Sequence, residues 1–288
     1  PVVLEQVPTL HALRLPLLAP WAAADAIIDN GREPNYAFRL GLSDTLAIEA
    51  LLGEIERRKL RRIGLLVPQT AWGRSCQYAA ERHVGARTRD RLEIVGIEWH
   101  RWGAHDSIPH SYRTLLEIGA EAILLVANEP EGATLVKAMA SMATRDLRPL
   151  FSHWGISGGR FPRLCGEALH KVQLDAAQSF SFARARGEDG ARLARRAMQH
   201  FGTDSPLAVP SQTAIGPAYD LVRLLAMAVD QTGGTHRPAI REALERLPAH
   251  EGVVRRHAPA FTPARHEGLG KDEVLLCRFD STGLLQPH

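Results

Sequence analysis

The chain has 288 residues, of which 45% are hydrophobic and 23% are charged, a composition typical of a globular protein with a sizeable core. Its 35 basic and 32 acidic residues are mixed along the chain, which disfavours a nucleic-acid groove and a basic membrane-binding helix. No apolar run approaches the ~20 residues that span a bilayer, and the first ten residues lack the layout of a signal peptide. We therefore expect no nucleic-acid partner and no direct membrane insertion, with any export signal lying outside this sequence.

The predicted elements begin with a short strand at residues 15–18 and continue with a helix that starts at Ser43 or Asp44. This helix has an apolar stripe at helical spacing, and its Glu54 and Arg58 are spaced to form an ion pair on the solvent side. A continuous apolar run at residues 63–67 follows, bounded by charge and by a proline. Such a run is typical of a parallel strand covered on both faces.

The alternation of strand and helix then repeats along the chain. Further strands are predicted at residues 92–99, 122–127, 149–154 and 172–182, with helices at residues 75–84, 111–118 and 131–142 in the intervals. Beyond a polar connector, the pattern predicts helices at residues 188–201, 212–230 and 237–247 and a last strand at residues 273–279. The alternation predicts an α/β fold with a mostly parallel sheet, whose loops at the strand carboxyl ends share one edge, the usual place for a ligand.

The three cysteines, Cys76, Cys165 and Cys277, are far apart in the sequence and odd in number. This pattern predicts neither a disulfide framework nor a C-x-x-C metal or redox pair. We therefore expect three buried free thiols.

Several segments, in order, resemble the type I periplasmic solute-binding proteins of the Leu/Ile/Val-binding (branched-chain amino acid) family. They are residues 35–52 (NYAFRLGLSDTLAIEALL), 61–75 (RRIGLLVPQTAWGRS), 119–140 (GAEAILLVANEPEGATLVKAMA) and 218–229 (AYDLVRLLAMAV). The resemblance extends over residues 15–279. It implies two Rossmann-like α/β lobes with parallel sheets, joined by a three-segment hinge and closing on a ligand as a Venus flytrap does.

On this resemblance, residues 1–41 and 183–252 form the N-terminal lobe, and residues 42–182 and 253–288 form the C-terminal lobe. Family members begin with several strand-and-helix units that have no counterpart here, so the N-terminal lobe is expected to be incomplete in this sequence. The apolar helix at residues 216–229 is then expected to be partly uncovered.

The resemblance also implies candidate ligand-binding residues in the N-terminal lobe. Trp21, Ala22 and Ala23 follow the first predicted strand, where the family presents donors to a ligand carboxylate. Ala23 replaces a hydroxyl residue that the family often has there, which leaves the backbone amides of Ala22 and Ala23 as the expected anion contacts. Trp21 either lines the cleft or packs between helices.

Other candidates lie in the C-terminal lobe. Trp72 matches a family position that lines the cleft, and its place after a strand carboxyl end supports that role independently. Asn128 and Glu129 are candidates for a hydrogen bond and a counter-charge to a ligand ammonium. For Glu129 the alternative is an acid at a helix N-terminus, where it complements the helix dipole.

Trp154 and Gly155 lie where amino-acid binders of the family carry an acidic residue that pairs with the α-amino group. Without that carboxylate, an aromatic or other hydrophobic carboxylate is as plausible a ligand as leucine. Trp21, Trp72 and Trp154 would then form an aromatic wall that stacks on flat or apolar ligands.

Two enzymatic or metal interpretations compete with this one. Residues 155–159 (GISGG) match the G-x-S-x-G pattern of serine hydrolases, with Ser157 as nucleophile, and an acid and a histidine follow in the right order, namely Asp220 and one of His250, His257 and His266. The sequence after Gly159 suits a short exposed helix instead of a nucleophile elbow.

The cluster His100, His105, Asp106 and His110 lacks metal-site spacing, so we expect no metal and no other cofactor.

The sequence therefore predicts a non-enzymatic receptor of an ABC-type uptake system, located in the periplasm or otherwise outside the cytoplasm. It would bind a small amino acid or a hydrophobic or aromatic carboxylate and deliver it to the membrane permease subunits. The alternatives are a ligand-sensing domain of a signalling or regulatory system with the same fold, and a serine hydrolase that uses Ser157.

Overall fold

The computed structural model describes residues 2–86 and 92–288 and divides into two units. The first unit contains Pro1–Ser43 and Ser179–Val274, and the second contains Asp44–Gln178 and Leu275–His288. Residues 253–274, which the sequence analysis assigned to the C-terminal lobe, pack in the first unit. That the two units act as hinged lobes stays a prediction.

The helices and strands alternate along most of the chain. The helices are α1 (Val2–Ala12), α2 (Asp44–Arg57), α3 (Ala71–Gly85), α4 (Ile108–Glu117), α5 (Glu129–Ala140), α6 (Phe161–Cys165), α7 (Gly187–Phe201), α8 (Gln212–Thr232) and α9 (Arg237–Leu244). The strands are β1 (Leu17–Ala19), β2 (Ala37–Arg39), β3 (Arg62–Pro68), β4 (Glu93–His100), β5 (Ala122–Leu125), β6 (Leu150–Ser152), β7 (Leu174–Gln178), β8 (His250–Glu251), β9 (Arg256–His257), β10 (Leu275–Phe279) and β11 (Leu285–Pro287).

The second unit is built on one sheet of the order β11-β10-β7-β6-β5-β3-β4. The neighbours from β4 to β7 are parallel, whereas β10 and β11 join the β7 edge as antiparallel strands. The central strands are buried along nearly their whole length, as expected for a parallel sheet covered on both faces. The predicted α/β fold with a mostly parallel sheet is confirmed.

The strand order reverses direction beside β3. Strand β3 lies between the edge strand β4 on one side and β5 on the other. The loops that leave the carboxyl ends of β3 and β5 therefore diverge in opposite directions. In open α/β sheets, ligands bind in the crevice that opens at this point.

In the first unit, a buried arginine at the end of β2 binds the loop that follows β1, its parallel partner strand. Arg39 is fully buried, and its Nη1 donates to the carbonyl oxygens of Ala22, Ala23 and Ala24. The Arg39 guanidinium also pairs with the Glu267 carboxylate through two nitrogens. Because these contacts fix the loop after β1, its backbone is set without help from a ligand.

Three further features bear on the expectations from the sequence. Val222 on α8 is 64% exposed, whereas Leu221 and Leu224 of the same helix are buried. The three cysteines are buried and none forms a disulfide, as predicted. Among the described residues, no helix combines the length and apolarity needed to cross a membrane.

The ion pair predicted on α2 forms, but it is buried and not on the solvent side. Glu54 lies 2.7 Å from Arg58 and is 5% exposed. Arg58 also lies 2.6 Å from the fully buried Asp175 of β7 and over the Phe151 ring. The prediction was wrong about exposure because the sheet covers this face of the helix.

The hydrogen bond from Arg57, assisted by Arg58, lowers the pKa of Glu54 from 4.5 to about 2 against the opposing effect of burial. Such a carboxyl adds stability above its unfolded pKa, and this stability is lost as the pH falls through the folded value. Since Arg57 is exposed and screened by solvent, we expect Glu54→Gln to lower the free energy of unfolding by only about 1–2 kcal/mol at about pH 7. The loss should shrink progressively as the pH falls towards about 2.

Urea unfolding followed by tryptophan fluorescence measures this, because Trp72, Trp99, Trp102 and Trp154 lie in the second unit. Glu117→Gln, at an exposed position, is the control and should change stability little at either pH. A Glu54→Gln penalty that is equal at about pH 7 and about pH 3 would contradict the charge-based account.

Candidate functional site

Trp72 lies where the predicted crevice opens, in the first turn of α3 directly after β3. Thr70 caps this helix by accepting from the Gly73 N–H. A side chain at Gly73 would collide with the Pro68 carbonyl, so glycine allows the tight turn from strand to helix. The Trp72 ring is half-buried and lies 6.4 Å from the exposed Trp102 ring.

His153, which was not predicted from the sequence, lies at the centre of the candidate site. This residue directly follows β6, is 1% exposed and stacks on Trp154 with ring centroids 3.7 Å apart. The Trp72 ring meets the same imidazole edge-on at 5.0 Å. The Nε2 of His153 lies 3.1 Å from the Asp44 carboxylate at the start of α2. A histidine at the carboxyl end of a buried strand was the available signal.

Trp154 and Gly155 serve the packing of this region. Trp154 is only 3% exposed, so most of its surface is covered. A side chain at Gly155 would collide with the Ala127 carbonyl and would lie 2.7 Å from the Trp72 ring. Glycine is therefore required at position 155 because the Ala127 carbonyl and the Trp72 ring lie so close to its backbone. This packing explains the glycine without the predicted ligand contact.

Asn128 is the N-cap of α5 and Glu129 is its first residue. Their side chains differ in burial and in hydrogen bonding. Asn128 is half-buried, and its side chain does not cap the helix. The Glu129 carboxylate is buried and accepts from the backbone N–H groups of Arg160 at 2.6 Å and Phe161 at 2.9 Å. Glu129 therefore holds the start of α6, and its role as counter-charge to a ligand ammonium is not supported.

The predicted first-unit residues form one loop. Trp21 is 37% exposed, Ala22 is half-buried and Ala23 is 9% exposed. The carbonyl oxygens of Ala22 and Ala23 accept from Arg39. Trp21 belongs to the first unit and Trp72 and Trp154 to the second, so their predicted convergence stays a prediction.

Ser157 does not have the surroundings of a nucleophile. Its hydroxyl donates to the Trp154 carbonyl at 2.5 Å. Asp220 and His257, two of the predicted partners, are fully buried in the first unit, 3.0 Å from each other, and Asp220 also accepts from two backbone amides. These contacts stabilise a loop in a unit to which Ser157 does not belong.

One potential metal-binding group occurs in the described part of the chain, and it is not the histidine-rich loop at residues 100–110. It consists of Asp44, Cys76 and His153, all buried. In the loop, the His100 Nε2 instead lies 2.9 Å from the Val126 carbonyl oxygen.

The contacts of Glu129 generate a stability prediction. Glu129→Gln should lower the free energy of unfolding by about 1–2 kcal/mol without any ligand, because hydrogen bonds to a charged acceptor are replaced by weaker ones. Urea unfolding measures the change, with the exposed Glu167→Gln as control. Unchanged stability together with lost ligand binding would show instead that Glu129 contacts the ligand.

Comparison with known proteins identifies the family. A family model described as a periplasmic binding protein matches residues 2–272. A type 1 periplasmic binding protein from Bordetella pertussis Tohama I has a TM-score of 0.84 at 19% identity, covering 99% of this chain and 78% of that chain. No curated protein matches the sequence.

Two further solved structures share the fold. An ABC-transporter solute-binding protein from R. palustris, in complex with benzoate, has a TM-score of 0.79 at 13% identity, covering 99% of this chain and 73% of that chain. The leucine-binding protein LivK from Thermotoga maritima MSB8 has a TM-score of 0.77 at 12% identity, covering 99% and 75%. Since the family match spans nearly the whole chain and the fold agrees, the protein belongs to the type I periplasmic binding proteins.

Proposed function

We propose that this protein is the solute-binding receptor of an ABC-type uptake system and that its ligand is a small aromatic carboxylate. The observation that carries the proposal is the ring cluster of Trp72, His153 and Trp154 at the carboxyl edge of the second-unit sheet. Trp72 is its half-buried member and follows β3 at the topological switch point. A flat apolar ligand gains most from stacking on such a ring.

The same region argues against a zwitterionic α-amino acid. An α-ammonium group needs a counter-charge when it is buried. At the position where amino-acid binders of the family carry an acid, this chain has the uncharged Trp154. The neighbouring candidate, Glu129, already binds two backbone amides and the Arg160 side chain. A ligand that has a carboxylate but no ammonium group needs no counter-charge at either position.

The loop after β1 supports binding of the ligand carboxylate. Arg39 holds three successive carbonyl oxygens of this loop, at Ala22, Ala23 and Ala24. We propose that the backbone amides of Ala22 and Ala23 donate to the ligand carboxylate. Amides fixed before binding lose little conformational freedom when the ligand arrives, which favours affinity.

The family relationship supplies the rest of the proposal. One structural relative is in complex with benzoate and another is a leucine-binding protein. We propose that this protein also acts outside the cytoplasm and delivers its ligand to the permease subunits of the transporter. Ligand contacts made by both units would favour a closed state, since a ligand shifts an equilibrium only through its differential affinity for the two states. Neither step requires an enzymatic activity.

The ligand class is tested by a thermal-shift screen with benzoate, 4-hydroxybenzoate, phenylalanine and leucine. A ligand that binds only the folded state stabilises it by about 2.7 kcal/mol at a hundredfold excess over Kd. We expect the two benzoates to raise Tm and the two amino acids to leave it unchanged. Stabilisation by leucine but not by the benzoates would refute the proposed ligand class.

The ring cluster is tested by Trp72→Ala, assayed by calorimetric titration with the benzoate that gives the larger shift. Loss of one aromatic stack and its buried area should weaken binding by about tenfold or more. Tyr78→Ala, on the exposed face of the same helix, is the matched control and should bind as the unmodified protein does. Equal affinity of both variants would exclude Trp72 from the binding site.

Ser157→Ala separates the receptor from the hydrolase. The Ser157 hydroxyl binds a backbone carbonyl, so we expect the variant to keep its benzoate affinity. We also expect neither it nor the unmodified protein to hydrolyse a chromogenic ester. Turnover that disappears with Ser157→Ala would establish the hydrolase and overturn the receptor.

A further inference from the structure

The second unit contains a group of three side chains whose chemistry is that of a transition-metal site. Asp44 begins α2, Cys76 lies in the second turn of α3 and His153 follows β6. One carboxylate oxygen, the thiol sulfur and one imidazole nitrogen all lie within 4.8 Å of one another. The three residues are remote in sequence, and the parallel sheet brings them to one edge.

All three side chains are removed from water. Asp44 and Cys76 are fully buried and His153 is 1% exposed. The Asp44 Oδ2 and the His153 Nδ1 are buried without a hydrogen-bond partner among the described residues. Buried polar atoms without partners are rare in folded proteins because their desolvation is costly, and an unobserved ion is one of the few structural reasons for them. The Asp44 Oδ2 belongs to a carboxylate that lies 3.1 Å from the His153 Nε2, so an ion held between the carboxylate and this nitrogen would give a buried oxygen the partner it lacks.

We propose that Asp44, Cys76 and His153 bind one divalent transition-metal ion of the Zn²⁺ class. A thiolate and an imidazole select Zn²⁺ or its neighbours over Mg²⁺ and Ca²⁺, which take oxygen ligands. Zinc bonds of about 2.0–2.3 Å place ligand atoms about 3.3–3.8 Å apart in a tetrahedron. The observed limit of 4.8 Å therefore leaves only a small side-chain adjustment on binding.

The scaffold holds these ligands firmly. The His153 ring stacks on Trp154 and meets the Trp72 ring edge-on, and the Asp44 carboxylate lies 3.1 Å from its Nε2. Within the part of the chain that the structure describes, the group contains three ligands and no fourth His, Cys, Asp or Glu. Water or an external ligand would complete the tetrahedron, as in sites with an open position. The proposal does not depend on the proposed carboxylate ligand.

The test uses Co²⁺ as the probe on the untagged full chain, reduced and freed of metal. We expect one Co²⁺ per chain, with a near-ultraviolet thiolate-to-cobalt charge-transfer band and the visible absorption of tetrahedral cobalt. Equimolar Zn²⁺ should displace the cobalt and remove both signals. Absence of the charge-transfer band at stoichiometric cobalt would overturn the proposal, and this outcome needs no variant to fold.

Variants then assign the ligands. Replacing even a residue that only orients a metal ligand costs about 10–100-fold in affinity, so Cys76→Ser and His153→Gln should each weaken cobalt binding by at least about 100-fold. Cys165→Ser is the matched control, because burial raises the pKa of the Cys165 thiol to about 12 and keeps it from acting as a thiolate. Circular dichroism confirms that each variant is folded. A charge-transfer band that persists in folded Cys76→Ser but disappears in Cys165→Ser would overturn the assignment.

Discussion

The packing of the His153 imidazole against Trp154 and Trp72 is the interaction on which the candidate site depends. It connects the end of β6 to the first turn of α3 through Trp72 and to the start of α2 through Asp44. A parallel sheet with strand carboxyl ends at one edge is what allows three remote segments to meet in this way. The half-buried Trp72 is thereby held against a rigid support, and a fixed aromatic face binds a flat ligand with little loss of side-chain freedom.

Several residues with the chemistry of ligand contacts instead hold the backbone of their own unit in place. Glu129 binds the backbone at the start of α6, and Gly155 allows the turn after β6 to approach the Ala127 carbonyl. In the first unit, Arg39 holds the carbonyl oxygens of the loop that is proposed to bind the ligand carboxylate. In the second unit, the Glu129 carboxylate is thus paired with backbone amides and does not serve as a counter-charge for a ligand ammonium. This pairing suits an aromatic carboxylate better than a zwitterion.

Local pattern was sufficient to predict the repeating part of the fold. Continuous apolar runs and helical stripes located β3 to β7 and the helices α3, α4 and α5, because each of these elements buries a face long enough to show its period. Strand β2 is three residues long and carries no period, and α1 has Pro8 in its interior, so both were missed. The exposure of the Glu54 and Arg58 pair was misjudged because a helix stripe does not show how far the neighbouring sheet extends.

The site was less predictable from the sequence. Trp72 could be predicted as a candidate site residue because its position after a strand end can be recognised from the local sequence. The meeting of Asp44, Cys76 and His153 depends on strand order and on the directions of three side chains, and nothing in their sequence spacing records it. The hydrogen bonds of Glu129 likewise depend on where the chain turns at Arg160 and Phe161, and the sequence does not indicate the position of that turn.

A crystal structure of the full chain grown with benzoate tests the central claim most directly. The account predicts density for the benzoate ring in van der Waals contact with the Trp72 indole, with Glu129 still bound to the Arg160 and Phe161 amides. A benzoate ring that contacts none of Trp72, His153 and Trp154 would contradict it.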